Sequence, residues 1–316
     1  MKKILIAVPC FNEEETIAKC LSNLINEKSN IKDYLVEILV VNDGSTDSTH
    51  DILKTFNEEI IVLNSMINCG LSEVFNTIMN FTSNNNFDYV IVYDADNQYP
   101  SNEISMLLTN SIEKKSDIEI GARNFKKTSH FSKTKNFLQI VGSSVVSKIL
   151  RIKIKDVTSG FRIYSKRAAN SLFSNNSFTY TIETLFQGVS DGLIINFSSI
   201  GEVNKTRNSR LFKSNFDYVR KSIAIIIKSI FLYKIRTAFV VISILFFTPG
   251  FLLLSRFFLP YFLLGSNPGN IQSLIVGTGY ITILFVFLIY LLIRIDSFKK
   301  FSELKRLVYQ PKHLSN

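Results

Sequence analysis

The sequence predicts an α/β domain, a mostly parallel sheet with helices on both faces, followed by two membrane-spanning helices. Three observations carry this. Short β-rich apolar runs alternate with helix-period segments as far as about residue 200, the pattern of crossover connections. Two polar, acid-bearing clusters, Asn42–Asp47 and Asp94–Gln98, directly follow two of those runs. Finally, no charged residue occurs between Arg236 and Arg256, or again between Arg256 and Arg294.

Taken in order, Ile4–Pro9 reads as the first strand, with a helix from about Glu13 to Glu27 behind it. Tyr34–Val41 is the second strand. It ends in the turn Asn42-Asp43-Gly44-Ser45, with Ser45 or Thr46 expected to cap the next helix and Asp47 near its positive end. Ile60–Leu63, Tyr89–Tyr93 and Ile118–Gly121 are further strands. Ligands of such sheets bind beyond the carboxyl ends of the strands, where both polar clusters sit.

The α/β part is expected to span residues 1–213, with a juxtamembrane amphipathic segment at 214–236. There Phe216, Val219, Ile223, Ile226, Ile227 and Ile230 recur at helical spacing, opposite Lys221 and Lys228. From Lys205 to Arg236 Asp217 is the only acid among many bases, which reads as an interfacial helix drawn to anionic lipid. A solvated face on a core helix is the alternative. Spans are placed near Thr237–Leu254 and Ser273–Ile293, with a kink expected at Pro249-Gly250 and Arg256 reaching the far interface. Bases gather before the first span and after the second, in a basic tail at 294–316. The positive-inside rule then puts both flanks, both termini and the α/β domain in the cytoplasm, with the chain integral to the plasma (inner) membrane.

Composition excludes several classes. With 46% hydrophobic residues, a disordered chain is excluded. The 36 Lys+Arg against 26 Asp+Glu, net +10, suit a membrane surface or phosphorylated substrates; nucleic acid is not an expected partner. Cys10, Cys20 and Cys69 show no framework spacing, and His50, His130 and His313 are equally dispersed, against a disulfide scaffold, a zinc site or a His-based triad. The apolar run after Met1 is cut by Pro9 and Glu13-Glu14-Glu15, too short for a secretory signal. Gly277-Thr278-Gly279 lies inside an apolar span, after no strand, and is no dinucleotide fingerprint.

Asp94-Ala95-Asp96 projects two carboxylates from a strand end, where a hard divalent cation can be held and can bridge substrate phosphates; Gln98 could add a carbonyl oxygen. Six motifs occur together: Val8–Glu14, Val40–Asp47, Asp94–Pro100, Ile120–Arg123, Asp156–Arg162 and Arg207–Arg210. In this order they resemble the family 2 glycosyltransferases of GT-A (Rossmann-like) fold, in the branch of dolichyl- and polyprenyl-phosphate sugar synthases. The resemblance covers about residues 3–213, and the terminal spans match membrane-anchored members.

The resemblance implies the following roles. Pro9, Phe11 and Glu13 would line the nucleobase and ribose pocket, with Phe11 where the family often has Tyr. Asp43 would hold base or ribose, beside Asn42 in place of a common Asp. Asp94, Ala95 and Asp96 would bind the donor, and Asp96 and Gln98 the metal, Mg²⁺ or Mn²⁺. Arg123, Arg207 and Lys213 would face the diphosphate or an acceptor phosphate. Glu183 is the nearest candidate base for a hydroxyl acceptor, or else positions its neighbours. The partners implied are a nucleotide-diphosphate sugar, UDP-linked before GDP-linked, a polyprenyl phosphate and the lipid bilayer, with homo-oligomers possible. A transferase using a hydroxyl of a lipid-linked or surface glycan is the alternative, and a non-catalytic nucleotide-sugar-binding module a third. The processive branch carries Gln-x-x-Arg-Trp, and this chain has no Trp.

Overall fold

The computed structural model describes residues 1–123, 133–175, 179–201, 203, 215–265, 270–307 and 314–315. It falls into two compact units, one of residues 1–226 with 308–316, the other of residues 227–307.

The first unit runs β1 (Lys3–Cys10), α1 (Ile17–Asn30), β2 (Leu35–Asn42), α2 (Thr49–Lys54), β3 (Ile61–Ser65), α3 (Leu71–Asn84), β4 (Tyr89–Val92), α4 (Glu103–Glu113) and β5 (Ile118–Ala122). It continues with α5 (Lys133–Leu150), β6 (Arg162–Ser165), α6 (Lys166–Ser171), α7 (Thr181–Ser190) and β7 (Ile195–Ser199). Helix α8 (Asn215–Tyr233) leads into the second unit, formed by α9 (Ile235–Leu264) and α10 (Ile271–Leu307); β8 (Leu314–Ser315) ends the chain.

Among the described residues the strands form one sheet in the order β7-β5-β6-β4-β1-β2-β3-β8. Strands β3, β2, β1 and β4 are parallel, whereas β6 enters antiparallel between β4 and β5. Ile4, Leu5, Ile6, Ala7 and Val8 of β1 are all buried, as a central strand covered on both faces requires. Helix α1 covers one face with Ile17, Cys20, Leu21 and Leu24, spaced as one helical stripe. The register pairs Cys10 with Asn42 and Ala7 with Val92, so β1, β2 and β4 end at one edge. That alignment carries the loops beginning at Phe11, Asp43 and Tyr93 to the same place.

Two local expectations change. Helix α2 starts at Thr49 with Ser48 as its N-cap, so neither Ser45 nor Thr46 caps it. Those side chains instead tie the β2 loop to the β1 loop: Asn12 N donates to Ser45 Oγ (2.9 Å) and Asn12 Nδ2 to Thr46 Oγ1 (3.3 Å). In the second unit, α9 runs through Pro249, Pro260 and Arg256 as one helix, longer than the span expected to stop at Leu254.

Two helical stretches, Thr237–Pro260 and Ile271–Ile293, are long and apolar enough to cross a membrane. They pack through glycines. A Cβ on Gly277 would lie 3.0 Å from the Gly250 carbonyl oxygen and 3.0 Å from Leu254 Cγ, so small residues let the backbones approach. Gly277→Leu is expected to weaken this pair by about 1–3 kcal/mol, seen as earlier melting in detergent. Gly279→Leu, where a Cβ meets nothing within 4 Å, is expected to be silent.

Candidate active site

The shared edge of β1, β2 and β4 is built by hydrogen bonds between loops. Thr46 N donates to Asn12 Oδ1 (2.7 Å), Glu13 N to Thr49 Oγ1 (2.8 Å) and Ser48 N to Glu14 Oε2 (2.9 Å). Asn12 takes a positive φ of 53° to make these contacts. Gly44, at φ 68°, has no room for a side chain: a Cβ there would lie 2.5 Å from the Ile67 carbonyl carbon.

Asn42 and Asp43 are both buried. The Asn42 amide donates to Asn64 Oδ1 (3.0 Å) and accepts from Ser45 N (3.2 Å). Asp43 accepts from Cys69 N and Gly70 N, both at 2.8 Å, through its two oxygens. The pair therefore locks the loop before α3 as well as bordering the edge. Burial pushes the Asp43 carboxyl above its ordinary value, against the pull of those amides. The Phe11 ring is 36% exposed beside this turn, while Glu13 is buried and accepts from Thr16 Oγ1.

Beyond β4 come the two carboxylates. Among the described residues no hydrogen bond ends on the Asp94 carboxylate, although the residue is mostly buried. Asp96 Oδ1 accepts from Gln98 N (3.0 Å), closing a turn in which Asn97 adopts φ 53°. Burial first, and then the negative charge of Asp96, push Asp94 up to about 7; the Arg123 and Arg162 charges oppose this. Asp96 is also raised, by burial, against the Gln98 amide and the Arg123 charge. Two neighbouring carboxyls, both raised by burial and one of them further by the other's charge, are relieved by a cation between them.

This donor set fits Mg²⁺ or Mn²⁺. It consists of hard oxygens, from Asp94, Asp96 and the half-buried Gln98. No group of three or more His, Cys, Asp or Glu able to hold a metal occurs among the described residues, so an ion here would keep positions open for diphosphate or water.

Tyr93, Tyr99 and Phe161 pack edge-on or tilted beneath Asp94, and the Tyr93 hydroxyl donates to the Tyr99 carbonyl. Gly160 N donates to Tyr99 Oη (3.1 Å). A Cβ on Gly160 would sit 2.6 Å from Asp94 Oδ2 and 3.0 Å from Oδ1, so this glycine makes the room the carboxylate occupies. Gly160→Ala is expected to keep the fold, checked by circular dichroism, and to cut sugar transfer about a hundredfold by displacing Asp94.

Arg123 is held rather than free-swinging. Its Nε and Nη2 donate to Asp156 (2.7 and 3.1 Å) and Nη2 also to Thr158 Oγ1 (2.7 Å). Burial would raise Asp156, but the Arg123 charge and hydrogen bonds hold it below the usual carboxylate range. Glu183, in the first turn of α7, is 2% exposed and accepts from Ser174 Oγ (3.0 Å) and Asn175 N (3.1 Å). Arg207 and Lys213 lie outside the described residues.

Sequence reasoning gave no role to Asp156, Gly160 or Arg162. Arg162 is wholly buried in β6, donating to the carbonyls of Ser159, Thr181 and Val157 and to Thr184 Oγ1. The signal available for all three is their place in the motif Asp156–Arg162.

The sequence model described as glycosyl transferase family 2 matches residues 5–173, more than half of the chain. The chain belongs to glycosyl transferase family 2. This family 2 member is 28% identical over 192 residues to the poly(ribitol-phosphate) beta-glucosyltransferase of Bacillus spizizenii, a match covering 56% of the chain and 29% of that relative. It is 25% identical over 181 residues to a dolichyl-phosphate beta-glucosyltransferase of Trichomonas vaginalis, covering 54% of the chain and 55% of the relative. It thus spans less than two thirds of either curated relative. Among solved structures, glucosyl-3-phosphoglycerate synthase of Mycobacterium tuberculosis, in complex with Mn²⁺, UDP-glucose and phosphoglyceric acid, superposes at a TM-score of 0.55. At 20% identity, covering 72% of this chain and 79% of that one, it establishes the shared GT-A fold of this family 2 member.

Proposed function

We propose that this chain transfers a sugar, with inversion, from a nucleotide-diphosphate sugar to a polyprenyl phosphate at the cytoplasmic face of a membrane, UDP being the favoured nucleotide. The observation that carries the reading is the pair Asp94 and Asp96 just after β4, both raised by burial and Asp94 further by the Asp96 charge, with the Arg123 cation acting on both. Phe11 and the Asn42–Asp43 turn would receive the nucleoside, and Asp94, Ala95 and Asp96 the diphosphate end. Asp94 and Asp96 would hold the ion, with Gln98 completing its ligand set. Mg²⁺ or Mn²⁺, when bound, supplies positive charge against the diphosphate that departs. Arg123, fixed by Asp156 and Thr158, adds preorganised charge at the same point.

A phosphate acceptor arrives ionised and requires no base. That agrees with Glu183, whose carboxylate is engaged with Ser174 and Asn175. The dolichyl-phosphate relative and the two apolar helices support a lipid acceptor. Bases before Thr237 and after Ile293 support cytoplasmic flanks. The roles of Arg207 and Lys213 toward phosphate are kept as part of this proposal.

The test is to incubate membranes containing the protein with polyprenyl phosphate, Mg²⁺ or Mn²⁺ and labelled UDP- and GDP-sugars, then to count label in the organic phase. A metal-dependent lipid product is expected. The poly(ribitol-phosphate) relative favours a second reading, transfer to a hydroxyl. Equal product with dephosphorylated polyprenol would select that reading, with Glu183 as its base.

A further inference from the structure

Helix α5 is amphipathic in the inverted sense. Its buried positions include Gln139 and Ser143, which are polar, together with Val146 and Leu150. Much of its outward face is apolar: Phe137 is 65% exposed, and Ile140, Val141 and Val145 all exceed 40%, with Ser144 and Lys148 exposed toward the C-terminal end. The inward polar groups have a task. Gln139 Oε1 accepts from Thr158 Oγ1 (2.6 Å) and Ser143 Oγ from Val157 N (3.1 Å), so α5 grips the loop that holds Arg123 and makes room for Asp94. Among the described residues the outward stripe stays exposed, and leaving these side chains in water is unfavourable by their apolar area.

Charge identifies what covers it. From Arg123 to Lys155 the sequence has no Asp or Glu and is rich in lysine, with Lys133, Lys135 and Lys148 on α5 itself. An apolar stripe in an acid-free, lysine-rich segment, with Lys148 exposed near its end, matches the boundary between acyl chains and anionic headgroups. A second copy of the same surface would set those bases against each other. We propose that α5 is a bilayer-docking helix, lying in the headgroup region of an anionic membrane with Phe137, Ile140, Val141 and Val145 toward the acyl chains. The proposal rests on the reading of the chain as membrane-anchored. It adds a contact made by the catalytic unit itself, on the helix that carries the active-site loop.

The test uses the full chain in nanodiscs of phosphatidylcholine and phosphatidylglycerol, with Cys69 changed to Ser and single spin labels at Val141→Cys, Glu58→Cys and Ile283→Cys. Cys10 and Cys20 are buried and remain. Accessibility to oxygen relative to a water-soluble nickel reagent is read at each site. At 141 the ratio is expected to exceed that at 58 by about threefold or more, and to approach that at 283. Aqueous values at 141 with lipid values at 283 would overturn the docking helix and leave the anchor intact. Aqueous values at both would overturn both. Protection at 141 from both reagents, with dipolar broadening between copies, would overturn the proposal in favour of a dimer face.

Discussion

Asp94→Asn is expected to abolish sugar transfer while making the folded protein more stable at neutral pH. The two effects share one cause. Asp94 is raised to about 7 by burial and by the charge of Asp96, whereas an unfolded Asp ionises near ~3.9. A carboxyl whose folded value is raised binds its proton more tightly when folded. Its stabilising contribution is therefore greatest in acid and is lost as pH climbs from about 4 to about 7. Above that range the domain carries an ill-tolerated charge, and Asn removes it. The gain at pH 8 is expected to be on the order of 2 kcal/mol, below the ceiling of about 4 that the full shift sets, because Asp94 keeps partial contact with solvent, which screens its charge. Thermal melts from pH 5 to pH 8 would show the wild type approaching the variant as pH falls. Mn²⁺ should raise the melting temperature of the wild type and leave Asp94→Asn unmoved, since only the former gains a tight ligand. A variant less stable than wild type throughout that range would overturn the assignment of Asp94 as the strained member of the site.

That strain was partly legible in sequence. Asp94 and Asp96 follow an apolar strand, and strand ends are where such sheets bind ligands, so the sequence alone places the pair at the site. The same reasoning located β1, β2, β3, β4 and β5 to within one or two residues, because buried parallel strands are continuous apolar runs. What failed were features set by contacts distant in sequence. Strand β6 opens with Arg162, and only the carbonyls of Val157, Ser159 and Thr181 make a buried guanidinium tolerable there. Ser45 and Thr46 have the right chemistry for a cap, but Asn12, more than thirty positions away, claims both. For α5 the pattern of apolar positions marks the outward face, and the inward one is recognisable only from its bonds to Val157 and Thr158. Gly160 gave no signal of its own, since its importance is the absence of an atom beside Asp94.

Asp156→Ala is expected to lower stability by about 3–5 kcal/mol and to remove transfer activity with it. Arg123 is 9% exposed at its side chain and Asp156 fully buried, so truncating the acid leaves a guanidinium without its counter-charge. It also leaves the Thr158 and Ser159 amides without the oxygen they now share at 3.1 Å. Because Asp156 is held below its ordinary value when folded, its contribution is present above about pH 4 and is lost as pH falls through the folded value. The gap between variant and wild type, read from denaturant unfolding, should accordingly narrow in acid. Stability and chemistry can be separated by pairing Arg123→Met with Asp156→Asn. The asparagine keeps an acceptor for the two amides, and the methionine removes the stranded charge, so most of the lost stability should return. Transfer should not, because the cation that acts on Asp94 and Asp96 has gone. If the double variant recovered activity along with stability, Arg123 would be a structural ion-pair partner only, and the charge opposing the departing diphosphate would have to come from elsewhere in the site.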